Sequence, residues 1–279
     1  MQRQNELDLA GKVAIITGAS RGVGKQAALD MAKRGVKLVL AARTVDPDEV
    51  LPGTLGETLE EIEALGSEAI AVQTDLAKEE DLKNLVDKAV ERFGGVDILV
   101  NNAAATTGEM WTHGFLGLSR EDWKYQFEVN THAPYTLMQL CAPIMEKRGG
   151  GRIVNVTTGS GEVFRMEEEP TALEANGEFS LIVPGYFASK RALDRLGNVI
   201  APELARKNIW VIGMHPGLVS TELVAIREEQ AGLATEGAVP MEVPSRMIAY
   251  FAACEDPKEY TGRLFWAERE LAEMGIELD

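Results

Sequence analysis

The sequence predicts an α/β fold, in which a single domain is built on a doubly wound parallel sheet of about seven strands. Apolar runs of strand length alternate with helical segments along the chain, the order typical of parallel strands joined by helices. Such crossovers are right-handed, so a sheet with helices on both faces is the simplest topology. A length of 279 residues with 45% hydrophobic residues is sufficient for one large domain spanning residues 1–279.

Each strand is predicted from a short apolar run bounded by polar or glycine-bearing residues. The runs lie at residues 13–16, 37–41, 68–73, 96–100, 152–157, 209–214 and 263–266. Helices are predicted between them at about 23–33, 57–65, 79–93, 119–147, 185–206 and 244–253, with Ser119 as a helix N-cap. Segments near 44–56, 162–185 and 218–240 follow neither pattern and are predicted to be irregular insertions that form substrate loops.

The acidic composition argues against two classes of partner. A net charge of −16 and a pI near 4.7 disfavour nucleic acid and anionic membrane surfaces. No apolar run approaches the ~18 residues that cross a bilayer, and residues 1–9 are too polar for a signal peptide. Two cysteines form no disulfide framework and three histidines lack metal-ligand spacing, so we expect a soluble cytoplasmic protein without a metal site.

A glycine-bearing turn joins the first predicted strand to the first helix. It reads T-G-A-S-R-G-V-G and places glycine at Gly18, Gly22 and Gly24. Glycine allows a ligand close to the backbone, and the N-terminus of the helix offers N–H groups and a positive dipole end to phosphates. The spacing differs from the commoner G-x-G-x-x-G, so an ordinary strand-to-helix turn is the alternative interpretation.

The residue after the second strand bears on the choice of cofactor. An NAD site usually carries Asp or Glu there, whereas this chain has Arg43. A guanidinium can hold a 2′-phosphate by two parallel hydrogen bonds, and Arg21 in the glycine turn could add a second charge. The pattern favours NADP (NADPH) and keeps NAD possible; the alternative is that Arg43 is an ordinary surface residue.

The start of the helix predicted at 185–206 carries a candidate acid–base pair. Tyr186 and Lys190 are four residues apart, which places both side chains on one face of the helix. A neighbouring cation favours the phenolate and lowers the pKa of a tyrosine from its ordinary value near ~10. Thr158 directly follows the fifth strand and could orient a substrate oxygen, although threonine is also simply favoured in strands. Asn130 lies within a helix, where asparagine is a poor helix former.

Taken in order, these motifs resemble those of the short-chain dehydrogenase/reductase family, single-domain branch, from about residue 9 to residue 266. The T-G-x-x-x-G-x-G motif lies at residues 17–24, and the pattern from residue 41 to residue 66 is similar to the hydroxysteroid-dehydrogenase-like branch. The other matching positions are Asp75, Asn101-Asn102-Ala103, Asn130, Tyr186 with Lys190, and Pro216-Gly217 with Thr221. The chain has Ala104 where the family has glycine.

The resemblance implies a Rossmann-type fold and a role for each matched residue. Tyr186 would exchange a proton with the substrate oxygen, Lys190 would hold the nicotinamide ribose, and Asn130 would hold a water in a proton relay. Thr158 stands where the family has its catalytic serine, and Ser160 could substitute for it. The implied cofactor-binding residues are Gly18, Ser20, Arg21, Gly22, Val23, Gly24, Arg43, Thr44, Asp75, Leu76, Asn102, Ala103, Tyr186, Lys190, Pro216, Gly217, Val219 and Thr221. The implied substrate contacts are Ser160, Phe164 and Leu218.

The expected function is an NADP-dependent oxidoreductase that interconverts a carbonyl and a secondary alcohol of a small molecule. The resemblance further implies a homodimer or homotetramer. Residues 162–185 are expected to cover the substrate, because both ends of this segment flank the acid–base pair. Two alternatives remain: a catalytically weak NADP-binding sensor or scaffold, and an epimerase or dehydratase on the same fold.

Overall fold

The computed structural model describes residues 9–46, 51–105, 115–158, 184–231 and 235–275. Among them lies a seven-stranded sheet in the order β3-β2-β1-β4-β5-β6-β7, in which every neighbouring pair is parallel. The strands are β1 Val13–Thr17, β2 Lys37–Ala42, β3 Ala69–Gln73, β4 Ile98–Asn101, β5 Gly151–Val156, β6 Ile209–His215 and β7 Leu264–Trp266. The predicted fold class and strand number are confirmed.

Helices connect the strands and cover both faces of the sheet. They are α1 Gly22–Ala32, α2 Leu55–Ala64, α3 Glu79–Phe93, α4 Arg120–Phe127, α5 Ala133–Lys147, α6 Pro184–Ala205, α7 Glu222–Ala231, α8 Glu242–Ala253 and α9 Ala267–Met274. Ser119 caps α4 as predicted, because its side chain accepts a hydrogen bond from the backbone N–H of Asp122. Within this described part of the chain, none of the helices combines the length and apolar character needed to span a bilayer.

The structure corrects the sequence prediction in three places. Residues 218–240 are not wholly irregular, because they contain α7, whose sequence E-L-V-A-I-R-E-E-Q-A lacks the spacing of an amphipathic helix. The helix predicted at 119–147 is interrupted by one π-helical turn, Glu128–His132, and α9 was not predicted at all. The proposed substrate cover at 162–185 lies outside the described residues except for its last two.

The core consists of two apolar layers, one on each face of the sheet. Successive residues of a strand point to opposite faces, so Ile16 packs in the layer with α1 and α8 while Ile15 packs in the layer with α3 and α5. All five residues of β1 are buried. Strands that are buried on both faces read as continuous apolar runs, which is why short apolar runs in the sequence located them.

An ion pair between the buried Asp97 and the exposed Arg148 fixes the amino ends of the central strands. The carboxylate of Asp97 accepts hydrogen bonds from the backbone N–H of Val13 at 2.9 Å and from Arg148 Nε and Nη2 at 2.9 and 2.8 Å. Burial would raise the pKa of Asp97, but the bonds from Arg148 and Val13 outweigh it and hold that pKa below its usual value. The contact joins β1, the residue before β4 and the end of α5.

The strand order places a crevice at the carboxyl ends of β1 and β4. The chain proceeds outward from β1 to β3 and then returns to the other side of β1 to form β4. The helix that follows β1 and the segment that follows β4 therefore leave the sheet on opposite faces, and a gap opens between them at the carboxyl ends of these two strands. Ligands of open α/β sheets bind in such a crevice, and the predicted site residues lie around it.

Candidate active site

The glycine turn after β1 requires glycine for steric reasons. Gly18 has φ +69°, and a Cβ there would lie 2.9 Å from the Cα of Ala103. A Cβ on Gly24 would overlap the carbonyl oxygen of Gly18 and lie 2.5 Å from Asn102 Nδ2. The turn therefore packs its backbone directly against the residues after β4, and it leaves the N-terminus of α1 facing the crevice.

Thr17 and Asn102 hold the ends of β1 and β4 together. Thr17 Oγ1 donates to the carbonyl of Val100 at 3.3 Å and accepts from the backbone N–H groups of Asn102 and Ala103 at 3.0 and 3.1 Å. The side chain of Asn102 donates back to the carbonyl of Thr17 at 2.9 Å. These bonds fix the floor of the crevice, and they explain why the motif has a hydroxyl side chain at Thr17 and an amide side chain at Asn102.

Arg21 does not stand free to receive a phosphate. Its Nε donates to the carbonyl of Pro52 at 2.9 Å, and its Nη2 donates to the carbonyls of Gly53 and Leu51 at 2.8 and 3.2 Å. The side chain thus ties the segment before α2 to the glycine turn. The sequence analysis proposed that Arg21 adds a second positive charge for binding the cofactor. It could not predict these carbonyl partners, because they lie about thirty residues away in the sequence.

Arg43 projects from the end of β2 at one end of the crevice. Its Nη1 donates to the hydroxyl of Tyr125 at 2.7 Å, and its backbone carbonyl accepts from Gln73 Nε2 at 3.2 Å. Tyr125 comes from α4 and was not predicted, because 82 residues separate it from Arg43 in the sequence. The guanidinium is exposed and lies beside the crevice, where a further anion can reach it.

Tyr186 and Lys190 lie in the first turns of α6 and face the same crevice as the glycine turn. Lys190 is 1% exposed, and its Nζ donates to the carbonyl of Val156 at the end of β5 at 2.7 Å. Burial lowers the pKa of Lys190 to about 8. At neutral pH the ammonium is therefore still the major form, and it is fixed one helical turn from Tyr186.

Asn130 lies in the π-helical turn between α4 and α5, where the backbone N–H of Ala133 bonds to the carbonyl of Glu128. Its side chain is fully buried: Nδ2 donates to Ser189 Oγ at 3.0 Å, and Oδ1 accepts from the backbone N–H of Ala105 at 2.8 Å. A π-turn interrupts the regular helical bonding and occurs frequently at functional sites. Asn130 thereby connects α6, next to Lys190, with the segment after β4.

A cleft of about 370 Å³ collects most of the predicted residues. Of the predicted cofactor and substrate residues, it is lined by Gly18, Ser20, Arg21, Gly22, Val23, Arg43, Thr44, Asp75, Leu76, Asn102, Ala103, Tyr186, Lys190, Pro216, Gly217, Leu218, Val219 and Thr221. Gly24 and Asn130 are buried behind the wall of the cleft. Leu223, which the sequence also placed among the apolar residues of the pocket loops, and Val224 add apolar side chains from α7.

The candidate hydroxyl groups after β5 are placed differently. Thr157 lines the cleft, whereas Thr158 is 9% exposed and is not among the described residues that line it. The backbone N–H of Thr157 donates to the carbonyl of Met214 and so continues the pairing of β5 with β6. Ser160 and Phe164, also expected at the substrate, lie outside the described residues.

The sheet order and the cleft at its carboxyl edge define a doubly wound, Rossmann-like α/β protein. A family model described as short chain dehydrogenase matches residues 12–169. The chain therefore belongs to the short-chain dehydrogenase/reductase family, whose members are oxidoreductases that use NAD(P).

Individual relatives agree with this assignment. The chain is 32% identical over 222 residues to the 7alpha-hydroxysteroid dehydrogenase of Escherichia coli K12, covering 80% of this chain and 76% of that protein. A solved 7 alpha-hydroxysteroid dehydrogenase with NADH and 7-oxo glycochenodeoxycholic acid superposes with a TM-score of 0.73 at 29% identity, over 95% and 96% of the two chains. The L-sorbose reductase of Gluconobacter frateurii with NADPH and L-sorbose superposes with a TM-score of 0.76 at 26% identity, over 94% and 96%. Because these structures hold different cofactors, the preference of this chain must be argued from its own residues.

Proposed function

We propose that this protein is an NADP-dependent oxidoreductase that interconverts a carbonyl and a secondary alcohol of a small molecule, with Tyr186 as the general acid and base. The observation that carries the proposal is that Tyr186 and the buried Lys190 line the same cleft as the glycine turn. A dinucleotide fits the residues present, because the glycine turn lines the cleft at Gly18 and Gly22 and ends at the N-terminus of α1, whose N-cap side chain makes no capping bond.

The cofactor would supply or accept the hydride, and the protein would donate or accept the proton. In the reducing direction Tyr186 donates its phenolic proton to the carbonyl oxygen, and in the oxidising direction the phenolate accepts the proton of the alcohol. Lys190 favours the phenolate by its charge. One of its three N–H groups is directed to the Val156 carbonyl, and the others are available for ribose hydroxyls.

The preference for NADP rests on Arg43. The residues at the end of β2 are Ala41, Ala42, Arg43 and Thr44, and none of them is an acid that could bind the ribose 2′-hydroxyl. The bond from Arg43 to Tyr125 uses one N–H of the guanidinium and holds its plane beside the cleft. The remaining N–H groups suit a 2′-phosphate in the bidentate arrangement typical of arginine.

The acid–base assignment is tested with Tyr186→Phe and, as a matched control, Tyr135→Phe, which removes an exposed hydroxyl on α5. A substrate is first found by following NADPH oxidation with a panel of ketones and aldehydes. Tyr186→Phe should lower kcat by about 10²–10⁴-fold with little change in the Kd for NADPH, while Tyr135→Phe behaves like the parent. A kcat of Tyr186→Phe within a few-fold of the parent value would contradict the assignment.

The cofactor preference is tested with Arg43→Gln against Arg120→Gln, an exposed arginine on α4. Arg43→Gln should weaken NADPH binding by about tenfold or more and leave NADH binding nearly unchanged, because only NADPH carries the 2′-phosphate. Equal affinity of the parent for the two cofactors would contradict the preference.

We also propose a homo-oligomer in a reducing compartment such as the cytoplasm. Cys141 and Cys254 are both buried and unbridged, which fits a reducing compartment. Tyr135 on α5 and Val199 on α6 are exposed apolar side chains, with exposed fractions of 44% and 57%, and would suit a contact between copies. Light scattering at micromolar concentration should give a mass of at least two chains, and a monomer mass would refute the oligomer.

A further inference from the structure

A carboxylate of the protein itself lies at the anion-binding end of the cleft. Oε2 of Glu222, the first residue of α7, accepts a hydrogen bond of 3.0 Å from the backbone N–H of Gly22, the first residue of α1. The two residues are 200 positions apart in the sequence. Both line the cleft, and the contact is partly buried.

The N-terminus of α1 lacks a local cap. Arg21 is the N-cap residue, but its side chain makes no capping bond, and the first turn of the helix contains no acidic residue. The N–H groups of a first helical turn have no partner within the helix and carry the positive end of its dipole. Glu222 therefore supplies the negative charge that other helices usually obtain from their own first turn.

The contact occupies an N–H at the helix N-terminus to which a dinucleotide would direct its diphosphate under the proposed function. Phosphate and carboxylate oxygens satisfy the same N–H groups at a helix N-terminus, and they cannot occupy one N–H together. The two anions also repel each other across the short distance between them. A diphosphate bound to the Gly22 N–H and the observed position of Glu222 would therefore exclude each other.

The chain just before Glu222 is firmly placed. Val219 forms a β-bridge with Val239, and the backbone N–H of Ser220 donates to the carbonyl of Val239 at 2.9 Å. If the Glu222 carboxylate leaves Gly22, the movement therefore involves the Glu222 side chain and the start of α7, while the backbone at Val219 and Ser220 stays bonded to Val239. The next two residues of α7, Leu223 and Val224, line the cleft, so a shift there changes the wall of the cleft.

We propose that Glu222 is a built-in competitor of the cofactor: it occupies the diphosphate position in the cofactor-free protein, leaves when the cofactor binds, and so sets cofactor affinity and couples binding to the start of α7. This rests on the proposed dinucleotide-binding function. It adds to that function a residue that opposes binding, whereas the other residues of the cleft favour it.

The test compares Glu222→Gln with Glu229→Gln, which makes the same charge change at an exposed position on the same helix. Dissociation constants for NADPH, ADP-ribose and adenosine 2′-monophosphate are measured by calorimetry at low and high salt. Glu222→Gln should bind NADPH and ADP-ribose about tenfold more tightly than the parent at low salt, with a smaller gain at high salt. It should bind adenosine 2′-monophosphate, which has no diphosphate, with the parent affinity, and Glu229→Gln should match the parent for all three ligands.

A second measurement follows urea unfolding without ligand. Glu222→Gln should unfold at a lower urea concentration than Glu229→Gln, because α1 loses the anion at its N-terminus. Unchanged or weaker NADPH binding by Glu222→Gln, an equal gain in Glu229→Gln, or equal urea midpoints would each overturn the proposal. If the parent binds NADPH and Glu222→Gln gains nothing, only this inference fails; if the parent and both variants bind no dinucleotide, the proposed function fails with it.

Discussion

Gly24→Ala should destabilise both the fold and the cofactor site, and the size of the effect follows from the packing around Gly24. The added Cβ would overlap the carbonyl oxygen of Gly18 and lie 2.5 Å from Asn102 Nδ2. The first of these is backbone and cannot rotate away. Overpacking of this kind typically costs about 1–3 kcal/mol, and displacing Asn102 from the Thr17 carbonyl costs about 1 kcal/mol more. The better helix propensity of alanine returns up to about 1 kcal/mol, so the net loss should be about 1–3 kcal/mol.

The control is Gly56→Ala in the first turn of α2. A Cβ at Gly56 meets only Thr54 Oγ1, at 3.8 Å, and the residue has no positive φ. This substitution should stabilise the protein by up to about 1 kcal/mol. Urea unfolding measures both variants, and calorimetry with NADPH measures the site, where Gly24→Ala should bind at least tenfold more weakly. If Gly24→Ala unfolds at the parent urea concentration and binds NADPH with the parent affinity, the steric interpretation of the turn is wrong.

Three further predictions concern ionisable side chains. Lys190→Met should abolish turnover and yet unfold at a higher urea concentration than the parent at pH 7. Burial lowers the pKa of Lys190 from 10.5 to about 8, which corresponds to a loss of roughly 3 kcal/mol in the free energy of unfolding. In the parent this loss disappears as pH rises from about 8 to 10.5, so the stability of the parent should increase over that range and the stability of the variant should not. Burial also lowers the pKa of His215 to about 4, so the parent should lose stability as pH falls from about 6.5 to 4, and His215→Gln should show a shallower loss than His132→Gln, which alters an exposed histidine. Asp97→Asn should lower the free energy of unfolding by about 1–2 kcal/mol, because two charge-assisted hydrogen bonds from Arg148 are lost while the exposed Arg148 keeps contact with water; a loss below 0.5 kcal/mol would contradict this.

The parts of the molecule that the sequence predicted are those that depend on local spacing. Strands buried on both faces leave continuous apolar runs, so all seven were located to within about two residues. Tyr186 and Lys190 share a helix, and a separation of four residues alone places them on one face. The glycine turn was predictable for the same reason, because strand, glycine and helix N-terminus follow directly in the sequence.

The parts that were missed depend on contacts between distant residues or on segments without periodicity. The hydroxyl of Tyr125 reaches Arg43 across 82 positions, and the carboxylate of Glu222 reaches Gly22 across 200. No spacing rule connects such pairs before the sheet order is known. The helix α7 was missed because four of its five apolar residues, 223–226, are consecutive and so form no stripe. The side chain of Asn130 in the π-turn bonds to α6 and to the segment after β4. Helix propensity considers only local sequence, so it does not predict such tertiary contacts.

The buried position of Lys190 connects stability with the proposed chemistry. An ammonium group that is 1% exposed has lost nearly all its water, and its lowered pKa measures what that loss costs the fold. The group does not move back to solvent, because its Nζ is bonded to the Val156 carbonyl and the preceding residue, Ser189, is fixed by Asn130. A cation held in this way has little hydration left to lose when a ribose enters the cleft, and its charge acts on Tyr186 through a medium of low polarity. The burial of Lys190 therefore has two consequences: it lowers the stability of the fold, and it strengthens the effect of the charge in the cleft. For this reason we expect Lys190→Met to gain stability and to lose turnover.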